Sequence, residues 1–177
     1  MKLIVLDRDG VINYDSAAYI KSPVEWRPIP GSLNAIAKLN HAGFHVVVAT
    51  NQSGIGRGFF DMAALNAIHA KMHQALAQAG ARVDAIFFCP HMADDHCRCR
   101  KPKTGMYEDI AHRLNTSLAG VPMVGDSIRD IEAATAVRGS PLLVLTGNGK
   151  KTRRAGNLPP DTQIYADLAA AVDALAD

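Results

Sequence analysis

The sequence lacks any apolar run close to the roughly 20 residues that a helix needs to cross a membrane. It also lacks a strong charge of either sign, and its net charge of +2 is too small to indicate a nucleic-acid partner. The N-terminus has one Lys, four apolar residues and then an Asp, which is not the pattern of a signal peptide. Because no large apolar seam is evident either, we expect a monomeric cytoplasmic protein with no membrane or nucleic-acid partner.

Cysteine is scarce, and its placement is informative. All three cysteines lie in one stretch of the chain, and clustering of this kind in a cytosolic protein favours a metal site over a disulfide framework. The stretch contains one Cys-x-His pair and one Cys-x-Cys pair. Together they form a Cys₃His set of the kind that binds zinc: Cys89, His91, Cys97 and Cys99. His96 competes with His91 as the fourth ligand. Four protein ligands leave no position for water, so we expect a structural zinc that fixes a loop of about residues 89–101.

What the sequence does contain is an alternation of buried strands and amphipathic helices. With 48% hydrophobic and 20% charged residues, the composition is that of a globular protein. Strands are predicted over 3–6, 45–49, 85–88, 122–124 and 142–145, and helices over 32–42, 61–80, 105–114, 128–137 and 167–175. This alternation predicts an α/β fold, with a mainly parallel sheet covered by helices on both faces. We interpret residues 1–177 as a single domain in which 11–30 forms a small cap or flap.

Two polar patterns carry little functional signal by themselves. The basic stretch 146–154 lacks the spacing of a nucleotide-binding P-loop, so we interpret it as a solvated loop, with anion steering as the alternative. His69 and His73 lie four residues apart on a predicted helix, a spacing that can bind metal. With no third ligand near them in the sequence, we expect them to be surface or half-buried histidines.

Polar and charged residues follow the predicted strands at the points where each strand ends. Asp7 and Asp9 follow the first strand, a T-N-Q-S segment follows the second, and Asp126 follows the fourth. Arg100 and Lys101 follow the cysteine stretch. Ligands of parallel sheets bind beyond the carboxyl ends of the strands, so we expect these groups at one rim. Unpaired buried carboxylates are costly, so a neutralising partner is required there.

The order of these motifs, D-x-D-G, T-N-Q, a basic loop and G-D-x-x-x-D, resembles that of the haloacid dehalogenase (HAD) superfamily of phosphatases over nearly the whole chain. The resemblance implies a HAD-like, Rossmannoid three-layer sandwich with a minimal cap and the zinc-binding loop. It also implies that Asp7 attacks phosphorus and that Asp9 acts as acid and base. Thr50 and Lys101 would hold the transferring phosphoryl group. Asp7, Asp126 and the backbone carbonyl of Asp9 would bind Mg²⁺.

Charge balance supports this transfer of roles. Three carboxylates would repel a phosphate dianion, but one Mg²⁺ and Lys101 together offset their charge, and Mg²⁺ prefers oxygen ligands of this kind. Asp130, one helical turn beyond Asp126, is expected to orient Lys101 or a metal-bound water. Asp9 is suitably placed in sequence to protonate a leaving oxygen and later to deprotonate water.

Within the superfamily, the C-x-H…C-x-C-R-K-P pattern resembles the group that contains histidinol-phosphate phosphatases and heptose 1,7-bisphosphate phosphatases. The stretch T-N-Q-S-G-I-G-R-G-F-F resembles the heptose branch more closely. The R-K-P-K-T-G-M stretch does so too, although Thr104 stands where that branch commonly has Pro. The resemblance implies a substrate-binding set that comprises Asp15, Ser16, Ala17, Ala18, Asn51, Gln52, Ser53 and Arg100.

The leading hypothesis is a Mg²⁺-dependent phosphatase with a structural zinc and a phosphosugar substrate. It would remove the 7-phosphate of D-glycero-D-manno-heptose 1,7-bisphosphate through an aspartyl-phosphate, in ADP- or GDP-heptose biosynthesis for lipopolysaccharide core or surface glycan. The enzymatic alternative is a histidinol-phosphate phosphatase of histidine biosynthesis. The non-enzymatic alternative is a zinc-stabilised phosphosugar-binding module, which would not need the nucleophile Asp7. The sequence leaves the preferred anomer open.

Overall fold

The computed structural model describes residues 1–176 and contains a six-stranded, wholly parallel sheet. The strand order is β3-β2-β1-β4-β5-β6. The strands are β1 (Lys2–Leu6), β2 (Phe44–Asn51), β3 (Ala85–Cys89), β4 (Pro122–Gly125), β5 (Ser140–Val144) and β6 (Gln163–Tyr165). β1, which leads into the Asp7–Asp9 pair, therefore lies near the centre of the sheet. The last residue of the predicted domain, Asp177, lies outside the described residues.

Helices cover both faces of the sheet, which confirms the predicted α/β sandwich. They are α1 (Ser32–His41), α2 (Ser53–Gly56), α3 (Met62–Gln78), α4 (Gly105–Arg113), α5 (Ile128–Ala136), α6 (Gly149–Ala155) and α7 (Leu168–Ala176). Alternating β1 side chains face opposite layers: Ile4 and Leu6 pack with α1, α3 and α7, and Leu3 and Val5 pack with α4 and α5. Among residues 1–176, no helix is both long and apolar enough to cross a bilayer.

Three elements were not predicted, namely the short helix α2, helix α6 and strand β6, and one interpretation was wrong. Residues 149–155, read as part of a solvated loop, form helix α6, and residues 163–165 form edge strand β6. The K-K-T-R-R stretch has no apolar periodicity, and a three-residue edge strand has too little alternation to be recognised. Thr50 and Asn51 belong to β2 rather than following it, and β5 ends at Val144 instead of Leu145.

The 11–30 segment is anchored at one end and open at the other. Val11, Ile12 and Trp26 are buried in the core, and Lys71 of α3 donates to the carbonyl oxygens of Pro23 and Trp26 at 2.7 and 2.8 Å. A short 3-10 turn covers Pro23–Glu25. The tip around residues 14–19 is more exposed. This segment therefore resembles a flap that is anchored in the core and has a more exposed tip at the rim of the sheet.

Candidate active site

The carboxyl ends of β1, β2 and β4 meet at one cavity of about 290 Å³. The cavity is lined by most of the predicted site residues: Asp7, Asp9, Asp15, Ser16, Ala17, Thr50, Asn51, Gln52, Ser53, Arg100, Lys101 and Asp126. Within the described chain, Ala18 does not line it, and its N–H instead donates to Ser16 Oγ at 3.1 Å. Lining residues that sequence reasoning did not assign to the site are Tyr19, Ile20, Arg57, Ser127, Arg129 and Asn148. The expected gathering of strand-end groups at one rim is thus present.

A buried lysine bridges two carboxylates on the cavity floor. Lys101 Nζ lies 3.2 Å from Asp7 Oδ1 and 2.7 Å from Asp130 Oδ1, and it donates to the Ala49 carbonyl at 2.7 Å. Burial opposes the charge of Lys101, but Asp130 and Asp7 outweigh that effect and raise its pKa above the usual value. Lys101 is therefore a permanent cation of the site, oriented by Asp130, which was one of the two roles expected for that residue.

Asp7, Asp126 and Asp130 place carboxylate oxygens within 4.8 Å of one another, an arrangement that can hold a metal ion. Burial and the neighbouring Asp130 charge raise the pKa of Asp126 to about 7, and the same two causes raise the pKa of Asp7 well above its usual value. Asp130 already accepts from Lys101 on Oδ1 and from Ser127 on Oδ2. Asp7 and Asp126 are thus the carboxylates that most need a cation, and they fit Mg²⁺.

The loop after β5 fixes Asp126, a contribution that sequence reasoning missed. Asn148 donates to Asp126 Oδ2 from its backbone N–H at 2.8 Å and also contacts Asp15 Oδ2 through Nδ2 at 3.1 Å. Gly10 and Gly147 have φ of 84° and 55°, and a Cβ at either position would collide with the Asp126 carboxylate. Both glycines are therefore required for the close approach of the backbone to Asp126.

Asp9 lies in a separate network of hydrogen bonds. Its Oδ1 accepts from Arg8 Nε at 2.8 Å and from Asn13 Nδ2 at 2.9 Å, and its Oδ2 accepts from Gln52 Nε2 at 3.2 Å. Burial alone would raise the pKa of Asp9, but the Arg8 guanidinium and these hydrogen bonds lower it below the usual value. These contacts therefore favour the ionised form of Asp9, whereas burial disfavours the ionised form of Asp126.

His69 of α3 reaches the same network and is buried, although a surface or half-buried position was expected. It is only 8% exposed, and its Nε2 lies 3.1 Å from Arg8 Nη1. Burial, followed by the charge of Arg8, lowers the pKa of His69 to about 4. His73, by contrast, is exposed. The position of Arg8 between two functional aspartates was the available sequence signal, but nothing in the sequence pointed to a residue 61 positions away.

The predicted Cys₃His group is present as a compact cluster. Cys89 Sγ, His91 Nδ1, Cys97 Sγ and Cys99 Sγ all lie within 4.8 Å of one another. His91 Nδ1 is 3.2 Å from Cys99 Sγ, and the Cys89 and Cys99 sulfurs are 2.9 Å apart. Among the described residues the cluster includes His91, and the competing His96 is not part of it. Its composition and size are compatible with a tetrahedral zinc site.

The cysteine loop is connected directly to the cavity. Asn51, at the end of β2, accepts from the Lys101 backbone N–H and donates to the Lys101 carbonyl, both at 3.1 Å. Thr104, where the heptose branch commonly has Pro, donates through Oγ1 to Glu108 Oε1 at 2.6 Å in the first turn of α4. The loop between Cys99 and α4 is thus held at the cavity by hydrogen bonds on both sides of Lys101.

Comparison with known proteins agrees with this geometry. The HAD-hydrolase-like family matches residues 98–171. A D-glycero-β-D-manno-heptose-1,7-bisphosphate 7-phosphatase from Bordetella bronchiseptica is 61% identical over 99% of this chain and 98% of its own. A protein of the same name from Neisseria meningitidis is 53% identical over 95% of this chain and 91% of its own.

A solved structure extends the agreement to three dimensions. The crystal structure of the B. bronchiseptica D,D-heptose 1,7-bisphosphate phosphatase, complexed with magnesium and phosphate, matches with a TM-score of 0.97. The identity is 61%, and the match covers 99% of this chain and 98% of that one. The fold, the motif order and these relatives together make the chain a phosphoric monoester hydrolase that belongs to the HAD-like D-glycero-β-D-manno-heptose-1,7-bisphosphate 7-phosphatase family.

Proposed function

We propose that this enzyme removes the 7-phosphate of D-glycero-D-manno-heptose 1,7-bisphosphate in a Mg²⁺-dependent reaction. The observation that carries the proposal is the joint placement of Asp7, Lys101 and Asp126 in one cavity, in a chain 61% identical to a phosphatase named for that substrate. Because the relatives are named for the β-anomer, we extend the proposal to the β-anomer of the bisphosphate.

Asp7 is the proposed nucleophile. Its carboxylate attacks phosphorus to give an aspartyl-phosphate, while Lys101 and the Thr50 hydroxyl stabilise the equatorial oxygens of the transferring group. Lys101 is suited to this role because it is 2% exposed and lies 3.2 Å from Asp7 Oδ1. Thr50 is 1% exposed and accepts from Gln52 Nε2 at 3.0 Å, so its hydroxyl position is fixed.

Asp9 is the proposed acid and base. It donates a proton to the leaving sugar oxygen in the first step and removes a proton from water in the second. Its hydrogen bonds with Arg8, Asn13 and Gln52 fix its position for both steps.

Mg²⁺ would be held by Asp7, Asp126 and the backbone carbonyl of Asp9. When bound, it supplies positive charge that offsets the carboxylates and the substrate phosphate. The raised pKa values of Asp7 and Asp126 favour this assignment, since both carboxylates are largely shielded from solvent and lie beside other negative charges. Asn148, Gly10 and Gly147 then serve to keep Asp126 in place.

Zinc is the proposed ion of the Cys89, His91, Cys97 and Cys99 cluster, with a structural role in the loop 89–101. That loop carries Arg100 and Lys101 to the cavity. Arg100 is proposed to recognise the substrate, because its guanidinium can bind the second anionic group of a bisphosphate. The remaining substrate contacts are assigned to Asn51, Gln52, Ser53 and the segment Asp15, Ser16, Ala17 and Ala18, of which Ala18 does not line the cavity in the described chain.

The biological setting is proposed on the same basis. Residues 1–177 form one cytoplasmic, monomeric catalytic domain on the route to ADP- or GDP-heptose for lipopolysaccharide core or surface glycan. Histidinol-phosphate phosphatase is the alternative, because the same C-x-H…C-x-C-R-K-P loop occurs in that branch. The two candidate substrates differ in their second charged group. The bisphosphate carries a second phosphate, whereas histidinol phosphate has a single phosphate and a cationic amine.

The test is release of phosphate in the presence of Mg²⁺ from both anomers of heptose 1,7-bisphosphate and from histidinol phosphate. We expect kcat/KM for the β-bisphosphate to exceed that for histidinol phosphate by at least about tenfold, because a substrate without the second phosphate leaves the Arg100 guanidinium unpaired. The reverse order would assign the enzyme to histidine synthesis. The ratio of the two anomers tests the β-anomer assignment separately.

A further inference from the structure

Arg8 and His69 form a buried contact that the proposed chemistry does not use. Arg8 is 0% exposed, and Nη1 of its guanidinium lies 3.1 Å from Nε2 of His69, which projects from α3. A guanidinium has only N–H donors, so Nε2 must accept and the proton of the neutral ring must lie on Nδ1. The contact therefore depends on an acceptor at one particular atom of His69.

Arg8 also contacts both functional aspartates that flank it. Its backbone N–H donates to Asp7 Oδ1 at 2.8 Å, and its Nε donates to Asp9 Oδ1 at 2.8 Å. The Arg8 side chain thus lies between Asp9 and His69, and its guanidinium plane is fixed at two of its three nitrogens. A shift of the guanidinium would shift Asp9 with it.

The two oxygens of Asp9 are held unequally. Oδ1 accepts two hydrogen bonds, from Arg8 Nε at 2.8 Å and Asn13 Nδ2 at 2.9 Å, whereas Oδ2 accepts a longer one of 3.2 Å from Gln52 Nε2. Charge-assisted bonds at the shorter distances are the stronger ones. Oδ1 is consequently the anchored oxygen, and Oδ2 is the oxygen available to the reacting groups in the cavity.

We propose that His69 is a positioning residue for the acid and base, because it fixes Arg8, which in turn anchors Asp9 Oδ1 and leaves Oδ2 to exchange the proton. This inference rests on the proposed function for the role of Asp9. In the first step the Asp7–phosphorus bond forms, the bond from phosphorus to the sugar oxygen breaks, and the proton of Oδ2 moves to that oxygen. In the second step water attacks phosphorus, the Asp7–phosphorus bond breaks, and the proton of the water returns to Oδ2.

The test compares two amides of different reach at position 69. In His69→Gln the side-chain amide oxygen can occupy the place of Nε2 and accept from Arg8, whereas in His69→Asn the amide is one methylene too short. We expect His69→Asn to lower kcat by about tenfold with little change in KM, since proton transfer depends on position. His69→Gln should retain kcat within about threefold of the wild type, which a loss of packing alone would not produce.

The control is the same pair of variants in an Asp9→Asn background, measured by single-turnover phosphate release. Asp9→Asn removes the carboxylate that His69 is proposed to position, so adding His69→Asn should change the remaining rate by less than about twofold. All variants are assayed with a substrate that the wild type turns over. An error in the proposed substrate would therefore appear in the wild type, and an error in the role of Asp9 would appear in Asp9→Asn alone.

Three results would overturn the inference: wild-type kcat in His69→Asn, equal losses in the Gln and Asn variants, or an undiminished effect of His69→Asn in the Asp9→Asn background. Thermal unfolding establishes that each variant is folded. If His69→Asn does not fold, His69→Leu, which removes the acceptor but fills the space, replaces it. If His69→Asn and His69→Leu both fail to fold, and His69→Gln folds but has a lower kcat than the wild type, then His69 has only a structural role.

Discussion

The molecule contains two clusters of potential metal ligands that differ in burial and in how they are assembled. The carboxylate cluster draws Asp7, Asp126 and Asp130 from the ends of two strands and the start of a helix, and Asp126 and Asp130 are buried. The Cys₃His cluster draws its ligands from residues 89–99 alone, and three of the four are partly or fully exposed. The first cluster is fixed by the whole sheet, and the second by a single loop.

This difference predicts what a metal ion would contribute at each cluster. The carboxylates already have Lys101 as a counter-charge and Asn148 as a hydrogen-bond donor, so we expect the fold around them to form without an ion and a bound ion to serve the chemistry. The residues between β3 and α4 contain only one short 3-10 turn, Ala93–Asp95, and few buried side chains. A metal bound there supplies folding energy that the loop cannot obtain from a core.

The largest effect should come from Asp7→Asn. The amide keeps the shape of the side chain but removes the nucleophile, so we expect kcat to fall by at least about a thousandfold. Zinc content should be unchanged, because the Cys₃His cluster does not share a ligand with the carboxylate cluster. Phosphate release and metal analysis on the same sample test this, and retained turnover would remove Asp7 from the nucleophile role.

A smaller loss of activity is expected at Lys101, and Lys103 of the same loop provides the comparison. Lys101 faces the carboxylates, whereas Lys103 is exposed and donates to the Cys97 carbonyl at 2.8 Å. We expect Lys101→Met to lower kcat/KM by about 10²–10³-fold and to lower the melting temperature, since it leaves buried carboxylates without a cation. Lys103→Met should change kcat/KM by less than about twofold, because exposed charges contribute little. Equal losses in both variants would mean that charge near the loop, rather than the buried contact, matters.

The smallest effect is on the pH dependence of stability, and it comes from the buried His69 next to Arg8 and Asp9. His69 has a folded-state pKa of about 4, below its usual value, so below about pH 6.5 the unfolded chain binds a proton that the folded protein does not. The stability contributed by neutral His69 is complete above that pH and is lost as the pH falls toward 4. We expect the free energy of unfolding in urea to drop by about 1–2 kcal/mol from this group between pH 7 and pH 5.

His69→Gln should remove this part of the acid sensitivity, and His73→Gln, which changes an exposed histidine of the same helix, should retain it. If the drop is the same in both variants, other groups are responsible for it.

Much of the fold could be predicted because its signals are local. Runs such as Val46–Val48 and helices with apolar periodicity identified five of the six strands and the five longest helices. The parallel arrangement then required the residues after those strands to meet at one rim. Helix α6 was missed because Thr152, its buried side chain, is polar and acts by donating to the Asp126 carbonyl at 2.8 Å.

The parts of the site that could not be predicted depend on contacts between distant segments. The aspartates and cysteines can be recognised in the sequence because they are reactive residue types at fixed spacing. Asn148, however, contacts Asp126, 22 positions away, and His69 contacts Arg8, 61 positions away. Neither belongs to a short motif. Their roles follow only once the sheet has brought α3 and the loop after β5 to the ends of β1 and β4.

The central claim is that the two clusters hold different ions with different tasks, and selective reloading of metal-free protein tests it most directly. Both ions are removed with a chelator, and the protein then receives one equivalent of Zn²⁺, excess Mg²⁺, or both, before melting temperature and phosphate release are measured. We expect Zn²⁺ alone to restore the melting temperature without turnover, and Mg²⁺ added to the zinc-loaded protein to restore turnover. Turnover with one equivalent of Zn²⁺ alone, or full turnover without Mg²⁺, would contradict the account.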